Sequence, residues 1–154
     1  MRNWLGIFLV SLALAMAFIV NGAGAEEDFL PPEQAFQFSA RMADAGTAEI
    51  TFKIADGYYL YRERLGFKAE GATLGEAVIP RGKVKFDPNF EKEVETFRHE
   101  LSIRIPIQPS GVFTLKVASQ GCSDKGLCYA PMESLAALSS TSTDRKSTRL
   151  NSSH

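Results

Sequence analysis

Histidine is almost missing from this 154-residue chain: His99 and His154 are the only two. A Ser–His or Cys–His hydrolase has little from which to build its general base. Cysteine is as scarce, with Cys122 and Cys128 alone. A metal site made of Cys122, Cys128 and His99 would have three scattered ligands and none of the spacing of metal motifs. No metal and no cofactor is therefore expected. Five residues separate the cysteines, which excludes a Cys-x-x-Cys site of the thioredoxin type at a helix N-terminus. Basic excess is absent as well. Lys and Arg number 17 against 18 Asp and Glu, so nucleic acid is not an expected partner. A long apolar run occurs only near the N-terminus.

That run reads as an export signal. Arg2 precedes an almost wholly apolar stretch from Leu5 to Val20, and Ala23-Gly24-Ala25 precedes Glu26-Glu27-Asp28. This is the layout of a secretory signal peptide over residues 1–25. At about 16 residues the stretch is short for a membrane anchor, which needs about 20. Cleavage would leave a soluble chain from Glu26 to His154, whose formal charge falls from −1 to −2 with the loss of Arg2. That length suffices for one domain with a hydrophobic core. Export also implies an oxidising compartment, where a cysteine pair persists as a disulfide. Two cysteines allow one pairing.

Residues 26–45 form a lead-in with Pro31-Pro32 and, at most, a short helix over 32–38. Strand patterns follow. Ala48, Ile50, Phe52 and Ile54 alternate with Thr47, Glu49, Thr51 and Lys53, the period of a half-buried strand. Asp56-Gly57 marks a turn, and Tyr58 to Arg62 is aromatic-rich and strand-like. Leu101, Ile103, Ile105 and Ile107 alternate with polar neighbours and Pro106, as do Phe113, Leu115 and Val117. Pro109-Ser110-Gly111 between them predicts a hairpin turn, and Pro106 predicts an edge or a bulge. Short strands at close spacing predict an all-β antiparallel sandwich over residues 26–138. Residues 139–154 are Ser/Thr-rich and expected to be disordered. Arg145–His154 also resembles translated sequencing-adapter sequence and is expected to be an artefact.

Chemistry concentrates in Gln120-Gly-Cys-Ser-Asp-Lys-Gly-Leu-Cys-Tyr129. Cys122 follows one strand and Cys128 opens another apolar stretch, so the sulfurs are expected to meet across a hairpin mouth, eased by Gly121 and Gly126. Two readings are open. A structural staple closing so short a loop contributes roughly 2–2.5 kcal/mol. An exchange pair needs an accessible sulfur and a thiolate, which Lys125 would favour and Asp124 oppose. On the strand Tyr58–Tyr61, Tyr59 and Tyr61 share one face, Tyr58 and Leu60 the other. One face is expected to be core, and the other to present two phenols. Glu91, Glu93 and Glu95 alternate as a solvated face would.

Three segments carry a resemblance: Asp56-Gly-Tyr-Tyr-Leu-Tyr-Arg62, Gln120-Gly-Cys-x5-Cys-Tyr129, and Pro32-x-x-Ala-Phe36. In order and approximate spacing they resemble the N-terminal periplasmic domain of the DsbD family of thiol:disulfide interchange proteins, over about residues 28–135. The resemblance implies an immunoglobulin-like sandwich and a protein-disulfide reductase type of activity in the periplasm. It implies that the Cys122–Cys128 pair takes electrons from a thioredoxin-like donor domain. It passes them to thioredoxin-fold acceptors, a DsbC-type isomerase and a cytochrome c maturation thioredoxin. By the same resemblance Cys128 forms the mixed disulfide with partners. Phe90, in Phe86-Asp-Pro-Asn-Phe-Glu91, caps the pair; Tyr59 and Tyr61 lie beside it, and Tyr129 belongs to its support. Two departures stand out. Pro88 and Asn89 occupy positions where the family example is acidic. The inner-membrane segment to which the family tethers this domain, and the C-terminal thioredoxin-like part, are absent. The chain is expected to be a fragment, or a stand-alone relative re-reduced by another protein. The alternative is an exported β-sandwich binding module with a purely structural disulfide.

Overall fold

Strands that alternate apolar and polar residues must find a second apolar face to cover the first. This computed structural model describes residues 28–108, 111–140 and 149–150, and the expected signal peptide and most of the expected tail lie outside them. The chain runs through helix α1 (Pro32–Ala35) and strands β1 (Phe36–Asp44), β2 (Thr47–Ile54), β3 (Tyr58–Tyr61), β4 (Gly66–Glu70) and β5 (Thr73–Leu74). Then come β6 (Lys83–Asp87), β7 (Lys92–Phe97), β8 (Glu100–Gln108), β9 (Val112–Ser119), β10 (Gly121–Ser123), β11 (Met132–Ser139) and β12 (Arg149–Leu150). Pairing is antiparallel in three sheets, ordered β1-β2-β8-β5, β10-β3-β7-β6 and β12-β11-β9-β4.

Ile50 and Phe52 of β2 stand opposite Ile103 and Leu101 of β8. Phe113, Leu115 and Val117 of β9, with Ala136 and Leu138 of β11, join them in one buried cluster. Each of these side chains except Ala136 contributes about 1.5–3 kcal/mol of transfer free energy. The expected all-β antiparallel sandwich is what the chain forms.

Several local expectations change. Residues 32–38 are helical only through Ala35. Phe36, Phe38, Ala40 and Met42 then alternate with Gln37, Ser39 and Arg41 as the buried face of β1, a full strand inside the supposed lead-in. Beyond Pro109-Ser110, β8 and β9 do not form a hairpin but belong to different sheets. Both strands bury their alternate residues in the same core, so the connection crosses from one sheet to the other instead of pairing its flanks. Ser139 ends β11 and Ser140 is buried, its hydroxyl accepting from Gly111 N at 3.0 Å. Disorder therefore does not begin at Ser139. Pro106 is neither on an edge strand nor at a bulge: β8 lies between β2 and β5, with Pro106 in register with Thr47. Its carbonyl accepts from Gly75 at 2.7 Å, and Arg104 exchanges hydrogen bonds with Val78 at 2.7 and 3.1 Å. That flank of β8 meets only short segments, where a missing N–H is tolerated.

Candidate functional site

The cysteines lie at the β10 edge of the second sheet, β10-β3-β7-β6. Cys122 pairs with Tyr59 across β10 and β3, with Gly121 opposite Leu60 and Ser123 opposite Tyr58. Gly121 is required by close approach: a Cβ there would fall within 3 Å of the Tyr59 carbonyl oxygen and the Phe36 ring. After Ser123 the chain reverses. Leu127 O accepts from Ser123 N at 2.7 Å, and Leu127 N donates to the Ser123 hydroxyl at 3.3 Å. Gly126 takes φ 96°, the left-handed region that glycine enters without strain. Cys128 thus returns opposite Cys122, and the two are bonded at 2.07 Å. The hairpin mouth read from the sequence is present. The two sulfur-bearing residues differ in exposure: Cys122 is 1% exposed, whereas Cys128 is exposed.

Tyr59, Tyr61, Val94 and Cys122 form a small cluster apart from the main core, and Phe90 packs against it. Tyr58 and Leu60 face the main core. The second face of β3 is therefore buried too, and does not present two phenols to solvent: all four residues of Tyr58–Tyr61 are buried. The Tyr59 and Tyr61 rings meet edge to face at 5.4 Å, and Tyr61 meets Phe90 at 5.2 Å. The Tyr61 hydroxyl lies 3.2 Å from Cys122 Sγ and donates to Asp87 Oδ2 at 2.6 Å.

Asp87, part of the segment Phe86-Asp-Pro-Asn-Phe-Glu91, was assigned no role from the sequence. It is fully buried. Burial opposes its charge, but the Tyr61 hydroxyl and the Asn89 and Phe90 amides, with Lys85, hold its carboxyl below the usual range. Burial first, and then the bond to Asp87, push the Tyr61 phenol far up. Asp87 Oδ1 accepts from Asn89 N at 2.8 Å and Phe90 N at 3.4 Å. One carboxylate thus holds Tyr61 and also folds the turn that delivers Phe90. The sequence signal was the Asp-Pro-Asn turn pattern itself. Asn89 Nδ2 reaches Cys128 Sγ at 3.8 Å, so a neutral amide stands by the exposed sulfur.

Tyr129, next to Cys128 in sequence, is tied to the lead-in. Its hydroxyl donates to Leu30 O at 2.6 Å, and Leu30 N donates to the Tyr58 hydroxyl at 2.9 Å. Its ring meets Phe36 edge to face at 5.6 Å. Burial, then the neighbouring Tyr58, push its phenol up to about 12. Other residues sort differently from expectation. Arg98, unremarked in the sequence, holds Asp124 through two bonds of 2.9 and 2.6 Å. That pairing draws the Asp124 carboxyl below the usual range. Glu95 is half-buried and accepts from Arg62 at 3.1 Å and Gly82 N at 2.5 Å, so it is not part of a solvated face. His99 is exposed, 3.5 Å from Asp56.

The family model described as "Thiol:disulfide interchange protein DsbD, N-terminal" matches residues 26–140. The chain belongs to this family. A thiol:disulfide interchange protein DsbD of Ralstonia nicotianae is 53% identical over 133 residues, covering 84% of this chain and 21% of the relative. The DsbD of Escherichia coli is 34% identical over 137 residues, covering 86% of this chain and 24% of its own length. The chain thus spans about a fifth to a quarter of the curated relatives it matches. Among solved structures, the reduced N-terminal domain of Neisseria meningitidis DsbD superposes with a TM-score of 0.65 at 29% identity. It covers 73% of this chain and 90% of that one. The complex of the DsbD and PilB N-terminal domains from the same organism gives 0.61 at 30% identity, covering 70% and 85%. The sandwich is the immunoglobulin-like fold of DsbD N-terminal domains.

Proposed function

We propose that Cys122 and Cys128 are the redox-active pair of a periplasmic electron relay of the protein-disulfide reductase type. Electrons enter from a thioredoxin-like donor domain and leave to thioredoxin-fold acceptors, such as a DsbC-type isomerase or a cytochrome c maturation thioredoxin. The observation that carries this is the unequal exposure of two bonded cysteines, one buried and one open to solvent, in a chain of the DsbD N-terminal family. A staple has no use for an open sulfur, whereas exchange requires one.

The chemistry runs in two displacements. The Cys128 thiolate attacks a sulfur of the acceptor's disulfide, forming a mixed disulfide and releasing one acceptor thiol. Cys122 then attacks Cys128 Sγ, the bond to the acceptor breaks, and the acceptor leaves carrying the second thiol. The net change is two electrons and two protons from the pair to the acceptor. Tyr59 and Tyr61 shield Cys122, Phe90 caps the cluster, and Tyr129 fixes the chain beyond Cys128. The solved pairing of the meningococcal domain with the PilB N-terminal domain supports docking of protein partners on such a domain.

The test is equilibration with defined mixtures of reduced and oxidised glutathione. The pair should titrate reversibly while the domain stays folded. A bond that remains oxidised until the domain unfolds would be a structural staple, and the relay reading would fall.

A further inference from the structure

The turn between the cysteines is tied to the sheet at a point that exchange chemistry does not touch. Asp124 sits near the tip of that turn. Its backbone N–H donates to Gly57 O at 2.7 Å. Both carboxylate oxygens accept from one guanidinium, at 2.9 Å and 2.6 Å. That guanidinium belongs to Arg98, which follows the last residue of β7. It also lies 5.0 Å from the ring centre of Tyr59, the residue paired with Cys122 across the sheet. One arginine therefore touches the turn on one side and the partner of the buried cysteine on the other. A two-pronged guanidinium–carboxylate contact fixes orientation as well as distance, which a lysine cannot do.

While the disulfide is closed, the covalent bond holds positions 122 and 128 together. Once it opens, the reach between the sulfurs depends on how well the turn keeps its shape. Glycine adds backbone freedom at both ends of that tie: Gly126, at φ 96°, lies within the turn, and Gly57, at φ 82°, supplies the carbonyl that receives Asp124 N–H. We propose that Arg98 is a positioning residue for disulfide exchange. By clamping Asp124 it keeps the opened turn folded, so that Cys122 stays within reach of Cys128 for ring closure. This rests on the relay reading above. The step concerned is resolution of the mixed disulfide. Cys122 as thiol loses its proton and bonds to Cys128 Sγ, the Cys128–acceptor bond breaks, and the departing acceptor sulfur ends as the thiol. Proximity of the two sulfurs sets the rate. By linkage, a clamp that favours the closed bond is itself favoured by it.

The contact is partly open, with side-chain exposures of 34% for Arg98 and 49% for Asp124. The effect is accordingly modest, about two- to fivefold. Arg98→Gln, Asp124→Asn and the double variant are compared with the parent in two measurements. One is the glutathione equilibrium of the pair. The other is the rate at which a preformed Cys128–glutathione mixed disulfide closes to Cys122–Cys128. Each single variant should lower both by about two- to fivefold. Arg98→Lys should recover part of the loss, and the double variant should be no worse than either single one. A purely structural contact would lower the melting temperature of the oxidised and reduced forms alike and leave both readouts unchanged. That result, or additive losses in the double variant, overturns the proposal. Asp124→Asn, on an exposed turn, remains informative if Arg98→Gln fails to fold. A parent pair that does not equilibrate with glutathione at all overturns the relay reading instead, which separates the two failures.

Discussion

The Tyr61 hydroxyl donates to the Asp87 carboxylate at 2.6 Å, and the same hydroxyl stands 3.2 Å from Cys122 Sγ. Asp87 also accepts from the amides of Asn89 and Phe90. A single buried charge therefore organises the floor of the site and the loop over it.

That arrangement gives Asp87 a signature in pH. Its carboxyl is held below the ordinary value of about 3.9. A depressed folded-state value means a contribution present in full above about pH 4 and lost as pH falls through the folded value. Asp87→Asn should lower stability at neutral pH by about 1–3 kcal/mol, since Tyr61 and two amides lose an ionised acceptor. Its acid limb below about pH 4 should also be flatter. Urea unfolding across pH measures both. A limb parallel to the parent's would assign acid sensitivity to other carboxylates, Asp124 first.

Phe90 is half-buried, packed on the tyrosine–cysteine cluster, with the Arg64 guanidinium 5.0 Å from its ring centre. Phe90→Ala should speed reduction of the disulfide by small thiols, by about tenfold if the ring shields the sulfurs at a cost near 1.4 kcal/mol. The domain should still unfold cooperatively. Unchanged rates with dithiothreitol would remove the capping role and leave Phe90 as packing alone.

The roles proposed for the two cysteines follow their exposure. Cys122→Ala leaves the open Cys128 with no resolving partner, so mixed disulfides with an oxidised thioredoxin-fold protein should accumulate on a non-reducing gel. Cys128→Ala leaves only a thiol that is 1% exposed in the folded domain, and adducts should be scarce. The opposite pattern would move the attack to Cys122.

Reduction should leave the fold standing. The main core of the sandwich contains neither cysteine, and closing a loop of about seven residues contributes roughly 2–2.5 kcal/mol. Thermal unfolding should be cooperative in both redox states, with the reduced form less stable by about that amount. Loss of a cooperative transition on reduction would point to a staple.

Much of this was legible in the chain. The alternation in 47–54, 101–107 and 113–117 fixed which side chains face the core, because a strand's period of two leaves no other choice when one side is apolar. The motif Gly121-Cys-x5-Cys128 located the pair, since glycines flank a reversal that short. β1 was legible too, but its alternation from Phe36 was hidden behind the prolines before it.

What one-dimensional reading does not contain is which strands become neighbours. The sequence by itself settled the β class, the cysteine pair and its family likeness, because these depend on residue type and local spacing. Only the tertiary structure sent β8 and β9 to different sheets. Only it buried Tyr59 and Tyr61, made Cys122 closed and Cys128 open, and placed Asp87 under Tyr61, 26 residues apart in sequence. Such contacts form because sheets close around a shared apolar core. A polar residue then finds its partner by where its strand is carried, not by its distance along the chain.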